Sequence, residues 1–233
     1  KGGKYQILAF KTNSKMIYAY PEDGKYEMFL EAGVYNFIIT YTDEKNSKEH
    51  TLVRQEVTVP DAPYEKNFDI VAGSLSGQLT WKDGTSAMYG ESSLCLYSDG
   101  FASGDITADL KADGSFSFSY VPYGTYTMKL DDKDIGTVTI NSADKQQDYT
   151  INGYQIAVVV KEANGEFAKD KWIRVEKDEK TEYYYVDNDK GLALVIVDEP
   201  GTYEVCSYDN GNRIYYGTVT VTDKNVSCAL TAE

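Results

Sequence analysis

The stretch Asp113-Gly114-Ser115-Phe116-Ser117-Phe118-Ser119-Tyr120-Val121-Pro122-Tyr123-Gly124-Thr125-Tyr126 decides the fold, because a copy of its plan lies in each third of the chain. A glycine turn opens it, apolar and polar residues then alternate, and a second glycine leads into a closing tyrosine. The first copy runs from Asp23-Gly24-Lys25-Tyr26 through Phe29 to Gly33-Val34-Tyr35. The third runs from Asp189-Lys190-Gly191-Leu192 through Val197 to Pro200-Gly201-Thr202-Tyr203. Opening and closing glycines stand 9, 10 and 10 residues apart, the length of one strand between two tight turns.

Short alternating runs flank every copy. In the first third they are Tyr5 to Phe10, Met16 to Tyr20, Tyr35 to Tyr41, Leu52 to Val59 and Asn67 to Val71, with a polar loop over 42–51. The second third begins with Gly73 to Trp81 and a turn at Lys82-Asp83-Gly84; Leu94 to Tyr97 leads into a loose, Gly-containing segment over 98–105, and Gly136 to Ile140 and Tyr149 to Ile151 follow the marker. The last third repeats the plan with Tyr154 to Val160, Trp172 to Glu176, Thr181 to Val186, Gly217 to Val221 and Cys228 to Leu230. Regular short strands without a helical period predict an all-β chain of three tandem antiparallel β-sandwich domains, Ig-like or prealbumin-like, over 1–72, 73–151 and 152–233. Nineteen residues before Gly191 stands Trp172, and nineteen before Gly24 stands Tyr5, so the first domain is expected to lack its first strand. Two explanations stay open: an excised piece of a longer polypeptide, which is the simpler, or a strand supplied to an open edge by another segment.

Composition narrows the partners. With 23 basic and 37 acidic residues the net charge is −14, and no third of the chain is basic, so neither nucleic acid nor an anionic membrane surface finds the positive footprint it needs. No apolar run approaches the roughly 20 residues that cross a bilayer, so no membrane insertion is expected. Twenty-one tyrosines suit pleated surfaces with one dry and one wet side. Three cysteines, Cys95, Cys206 and Cys228, cannot all pair; alternation sends Cys206 to the face opposite Tyr203 and Val205 and leaves Cys228 with Val226 and Leu230, which argues against a bridge.

Gly77-Gln78-Leu79-Thr80, Asp83-Gly84, the marker and Val138-Thr139-Ile140 together resemble the carboxypeptidase regulatory-like and collagen-adhesin B-type repeats. The resemblance covers the second third well, the third moderately and the first weakly. It implies a non-catalytic extracellular module strung along a bacterial surface or secreted protein, used as a stalk, an adhesin segment or an accessory domain. The motif records turn geometry, so it speaks to fold more than to function. The adhesin repeats often carry a Lys–Asn amide cross-link assisted by an acidic residue. Lys82, Lys161 and Asn152 stand near the relevant strand ends, but Leu130 and Ser207 occupy the acid's position, so no cross-link is expected.

Candidate sites are few. The single histidine, His50, has no Ser or Cys motif nearby to serve as a base for, and no catalytic residue, cofactor or enzyme activity is assigned. Asp187-Asn188-Asp189-Lys190-Gly191 and Asp131-Asp132-Lys133-Asp134 cluster hard oxygens without the spacing of a helix-loop-helix calcium site, and no metal is assigned. The richest pattern is aromatic. Alternation places Tyr183 and Tyr185 opposite Tyr184 and Val186, sends Tyr208 outward beside Cys206, and gives one ring of Tyr215 and Tyr216 to each face. Tyr183, Tyr185, Tyr208, Tyr215 and Tyr216 are therefore the candidate ligand-binding residues. Two readings follow: a structural and adhesive spacer, monomeric and extracellular, touching a host-cell, matrix or polysaccharide ligand, or a carbohydrate-binding protein whose rings stack on sugars.

Overall fold

The computed structural model describes residues 3–44, 47–86, 92–99, 101, 106–131, 133–186 and 189–233. The loop at 98–105, Asp132 and the Asp187-Asn188 pair lie wholly or largely outside them. Among the described residues the chain is all-β, with no helix. The strands are β1 (Gly3–Phe10), β2 (Ile17–Ala19), β3 (Gly33–Asp43), β4 (Glu49–Val59), β5 (Ala72–Trp81), β6 (Leu94–Tyr97), β7 (Ile106–Thr107), β8 (Asp109–Leu110), β9 (Ser115–Pro122) and β10 (Gly124–Leu130). They continue as β11 (Lys133–Ile140), β12 (Asp144–Gln146), β13 (Tyr149–Ile151), β14 (Tyr154–Lys161), β15 (Lys171–Lys177), β16 (Lys180–Val186), β17 (Leu192–Val197), β18 (Gly201–Asp209), β19 (Asn212–Val221) and β20 (Val226–Thr231).

Two compact units emerge, one of 1–77, 93–110 and 116–147, the other of 78–92, 111–115 and 148–233. In the second, the sheet β17-β14-β20 and the sheet β16-β15-β18-β19 share one core. Ile156, Val158 and Val160 from β14, Ile173 and Val175 from β15, and Val205 from β18 are completely enclosed in it. The strand β14 lies between two partners, antiparallel to β17 and parallel to β20, which is why its sequence is a nearly continuous apolar run. This parallel pairing, repeated where β12 and β13 join β5, departs from the purely antiparallel expectation. The closing strand returns from the opposite layer and so enters beside the first strand in the same direction.

The marker glycines explain how the layers lock. Gly191 has φ +62°, and a Cβ there would stand 2.5 Å from the Val160 carbonyl oxygen. Close approach lets the Val160 N–H donate to the Gly191 carbonyl at 2.8 Å. Gly114 repeats the device on Leu79: φ +80°, a Cβ 2.6 Å from the Leu79 oxygen, and the Leu79 N–H donating to Gly114 at 2.8 Å. The closing tyrosines also repeat, since Tyr126 donates its hydroxyl to the Pro122 carbonyl and Tyr203 to that of Glu199, each four residues back.

In the first unit, the sheet β2-β1-β3-β4 buries Ile7, Ala9, Phe37 and Ile39. Across its inner face lie Tyr26, Met28, Leu30, Phe68 and Ile70, all only partly buried. Here the sequence expectation fails: 67–71 and the marker segment 25–30 form no strands. Their apolar alternation is present, yet no neighbouring backbone completes a ladder on them. No disulfide joins Cys95, Cys206 or Cys228.

Candidate aromatic face of the last sheet

Strand alternation on the sheet β16-β15-β18-β19 sends Ile173 and Val175 inward and Trp172, Arg174 and Glu176 outward. Register then fixes the neighbours: Trp172 stands opposite Tyr185, Arg174 opposite Tyr183 on one side and Cys206 on the other, and Glu176 opposite Glu204. On the far edge Cys206 pairs with Tyr215 and Tyr208 with Arg213.

The result is one outward face with two aromatic groups. Trp172 and Tyr185 form a tilted pair with ring centroids 5.2 Å apart. Beside them the Arg174 guanidinium lies between two rings, 4.2 Å from the centroid of Tyr208 and 5.1 Å from that of Tyr183. Trp172 is 57% exposed and Tyr183 55%, and Tyr185 and Tyr208 are also exposed. Trp172, Tyr183 and Tyr208, with Arg174 and the flanking Asp170, Lys171 and Asp209, border an open groove of about 810 Å³.

Charge is organised further along the same face. Arg213 donates to Glu204 at 2.7 Å and to Glu176 at 2.8 Å, and its own ionisation is driven still higher, chiefly by Glu204. The pairs hold Arg213 across the β15–β18–β19 strands, although solvent screens them and leaves little net stability. Beneath lies Cys206, outward by register yet fully covered; burial raises its thiol pKa and keeps it protonated, with Arg213 opposing the shift.

The candidate tyrosines therefore do not stay together. Tyr183 and Tyr208 flank Arg174, Tyr185 joins Trp172, and Tyr215 is half-buried with Arg213 above its ring at 5.9 Å. Tyr216 leaves the set: it is only 2% exposed and shares a hydroxyl hydrogen bond with Ser207 at 3.1 Å. A bulge opposite Val205 and Cys206, made possible by Gly217 at φ +134°, turns its ring into the core. Sequence reading missed Trp172 and Arg174 as members of the face. The Trp-Ile-Arg-Val-Glu alternation of β15 carried that information, but the partner strand was needed to set Trp172 beside Tyr185.

Other candidate positions are taken up by packing. The Lys82 ammonium lies 5.7 Å from the centre of the Tyr154 ring and that of Lys161 5.3 Å from Phe167; Leu130 and Ser207 are buried. Asp189 is ion-paired with Lys169. Among the described residues no three His, Cys, Asp or Glu side chains converge as a metal site, and no helix is long and apolar enough to cross a membrane.

No known protein-family profile matches the chain, and no curated protein matches it. Solved structures similar to it include the TIE protein of Bacillus anthracis, at 11% identity and TM-score 0.28, with 98% of this chain and 51% of that one covered. A streptococcal ancillary pilin is 9% identical with TM-score 0.29, covering 99% of this chain and 92% of the pilin. The major pilin subunit BcpA of Bacillus cereus is 10% identical with TM-score 0.26, covering 100% and 95%. The chain spans about half the length of the first of these proteins. Pilins thus recur among its structural neighbours, at low identity and low TM-score.

Proposed function

We propose that the chain is a non-catalytic tandem-repeat region of a bacterial cell-surface or secreted protein, with β-sandwich modules over 1–72, 73–151 and 152–233, acting outside the cell as a spacer that also makes adhesive contact. The observation that carries this reading is the aromatic face. Four exposed rings and a ring-stacked guanidinium stand together on one face of a single sheet, beside Asp170, Lys171 and Asp209. That is the composition of a contact surface, where Trp, Tyr and Arg supply most of the binding energy.

The same face favours one ligand class. The flat faces of Trp172, Tyr183 and Tyr208 match the apolar C–H faces of sugar rings, and the Asp170 and Asp209 carboxylates border the groove where they can accept from hydroxyl groups. Retention of the chain on immobilised polysaccharides, with Tyr183→Ala and Tyr185→Ala as variants, tests this. Retention abolished by both substitutions supports a carbohydrate ligand. Absence of retention on every polysaccharide removes the carbohydrate reading, and absence of retention on matrix proteins and host cells as well removes the adhesive role.

A further inference from the structure

The inner face of the sheet β2-β1-β3-β4 continues past its core. Beyond Ile7 and Ile39 it carries Tyr5 and Tyr41, which are cross-strand partners with ring centroids 5.1 Å apart. A bulge between Ile39 and Thr40 then sets His50 of β4 opposite Tyr41. Without that extra residue, alternation from Val53, which packs on the core, would put Thr51 there and turn His50 to the outer face. Tyr5, Tyr41 and His50 thus stand in a row across three strands.

The ring seated on this row comes from β9, within the same compact unit. The Tyr120 centroid lies 4.6 Å from that of Tyr41 and 5.0 Å from that of His50, and the hydroxyl groups of Tyr41 and Tyr120 are hydrogen-bonded. Tyr120 has φ +57°, uncommon for a bulky residue, and the alternation set by Phe116 and Phe118 breaks there. Lys48 adds an ion pair to Asp109 of β8 at 2.8 Å. His50 is the vulnerable member of this contact. It is 9% exposed, and its Nε2 atom is enclosed without a hydrogen-bond partner among the described residues. The crevice it shares with Lys48, Thr107 and Tyr120 measures only about 10 Å³, no more than one water molecule needs. A neutral imidazole tolerates that setting. In the imidazolium both nitrogens are donors, so Nε2 would become a buried, charged donor facing no acceptor. Around the ring, Lys48 repels a second cation, while Asp43 of β3 and Asp109 of β8 attract it. Asp109 is already held by Lys48, and Glu49 of β4 accepts from Thr40 at 3.3 Å. The β1 and β9 strands bring only the phenols of Tyr5 and Tyr120, and Ile106 and Thr107 of β7 bring no charge.

We propose that the contact between the first sheet and β7–β9 is an acid-opened joint: with His50 neutral the Tyr5-Tyr41-His50 row seats Tyr120, and uptake of a solvent proton by His50 releases it. Opening exposes the ring to water, where the new N–H finds an acceptor and the repulsion from Lys48 is screened. The direction agrees with the environment of the closed form, in which burial first and Lys48 second hold the His50 pKa below 6.5. Closure is therefore fully favoured above pH 6.5. It weakens as pH falls from there towards the depressed value, and the opening constant rises by up to about tenfold per pH unit within that window. Below the window it levels off.

The test measures the distance between spin labels on the exposed positions Glu56 of β4 and Thr139 of β11, with Cys95, Cys206 and Cys228 replaced by alanine. Spectra are compared at pH 7.5 and 5.0, a range in which carboxylates such as Asp109 keep their charge. One narrow distance is expected at pH 7.5, and a second, longer and broader population at pH 5.0. His50→Gln and His50→Phe, which cannot take up the proton, should keep the narrow distance at both values. Small-angle scattering of the unlabelled chain is the second arm: its radius of gyration should rise on acidification, and those of the two variants should not. An unchanged distance distribution and radius in the native chain overturn the proposal. So does a change of equal size in the His50 variants. Lost hydrogen-exchange protection at Ile7, Phe37 and Ile39 at pH 5.0 overturns it as well, because the sheet would then be unfolding and the joint would not be opening on its own.

Discussion

β14 and the unpaired position between 25–30 and 67–71 are the same place in two copies of one plan, and they show what alternation does and does not specify. Around β14 every element is finished: neighbours on both sides, Ile156, Val158 and Val160 excluded from water, and a glycine pressed against its carbonyl. Around the gap the apolar pattern is equally regular, yet Tyr26, Met28 and Leu30 are only partly buried and the flanking segments form no strand. Alternating apolar residues decide which face would be buried; a strand exists only where a second backbone supplies the ladder. Hydrated backbone groups tolerate the vacancy, since a hydrogen bond contributes only about 1 kcal/mol net, but the half-covered apolar side chains lose burial that their counterparts enjoy.

Substitutions can break that comparison. The largest contrast is expected between Ile156→Ala, which hollows a filled core and should cost about 2–5 kcal/mol, and Leu30→Ala, which removes a half-covered side chain and should cost about 1 kcal/mol or less. Urea unfolding of the two variants measures it, and equal losses would mean that the gap is sealed. Next come the glycines. Gly24→Ala pays only for a left-handed backbone, about 1–2 kcal/mol, whereas Gly191→Ala also drives a Cβ into the Val160 carbonyl and should cost at least about 1 kcal/mol more. Smaller still is Tyr203→Phe, which removes the hydroxyl bond to Glu199 and should cost about 1 kcal/mol; Tyr35→Phe, at the same place in the first copy, has no such bond among the described residues and should be near neutral.

The two units should also differ in their response to mild acid. His50 is the chain's single histidine, and it lies in the first unit against the Tyr120 ring. Burial, then the charge of Lys48, lowers its pKa below the ordinary 6.5, with Asp43 and Asp109 opposing. The neutral form is therefore favoured in the folded state. Its contribution is complete above pH 6.5 and is lost as pH falls from there through the depressed folded value. Thermal melts between pH 7 and 5.5 should show the first unit weakening while the second holds, and His50→Gln should flatten the difference.

Most of the strand plan was legible because turns and alternation are local: Asp-Gly and Gly-Thr-Tyr mark tight turns and core rings wherever they occur. What was not legible depended on partners far away in sequence. The segments 25–30 and 67–71 carry a strand pattern without a strand, and no local signal distinguishes them from β17 or β20. Parallel pairing of β20 with β14 follows from the route of the chain between layers. Alternation gave one ring of Tyr215 and Tyr216 to each face but not which one, and the bulge across from β18 settles it by turning Tyr216 inward. At the aromatic face, Tyr183, Tyr185 and Tyr208 could be read outward from alternation, but Trp172 joined them only through its register with Tyr185.

Native-state hydrogen exchange of the unmodified chain tests the open position most directly. Amides of Tyr26–Leu30 and Phe68–Ile70 are predicted to exchange close to the rates of unstructured peptide, while those of Ile156–Val160 and Ala193–Val197 are slower by about a thousandfold or more, opening only when the second unit unfolds. Comparable protection in the two sets would contradict the account, because it would mean that the backbones of 26–30 and 68–70 are paired after all.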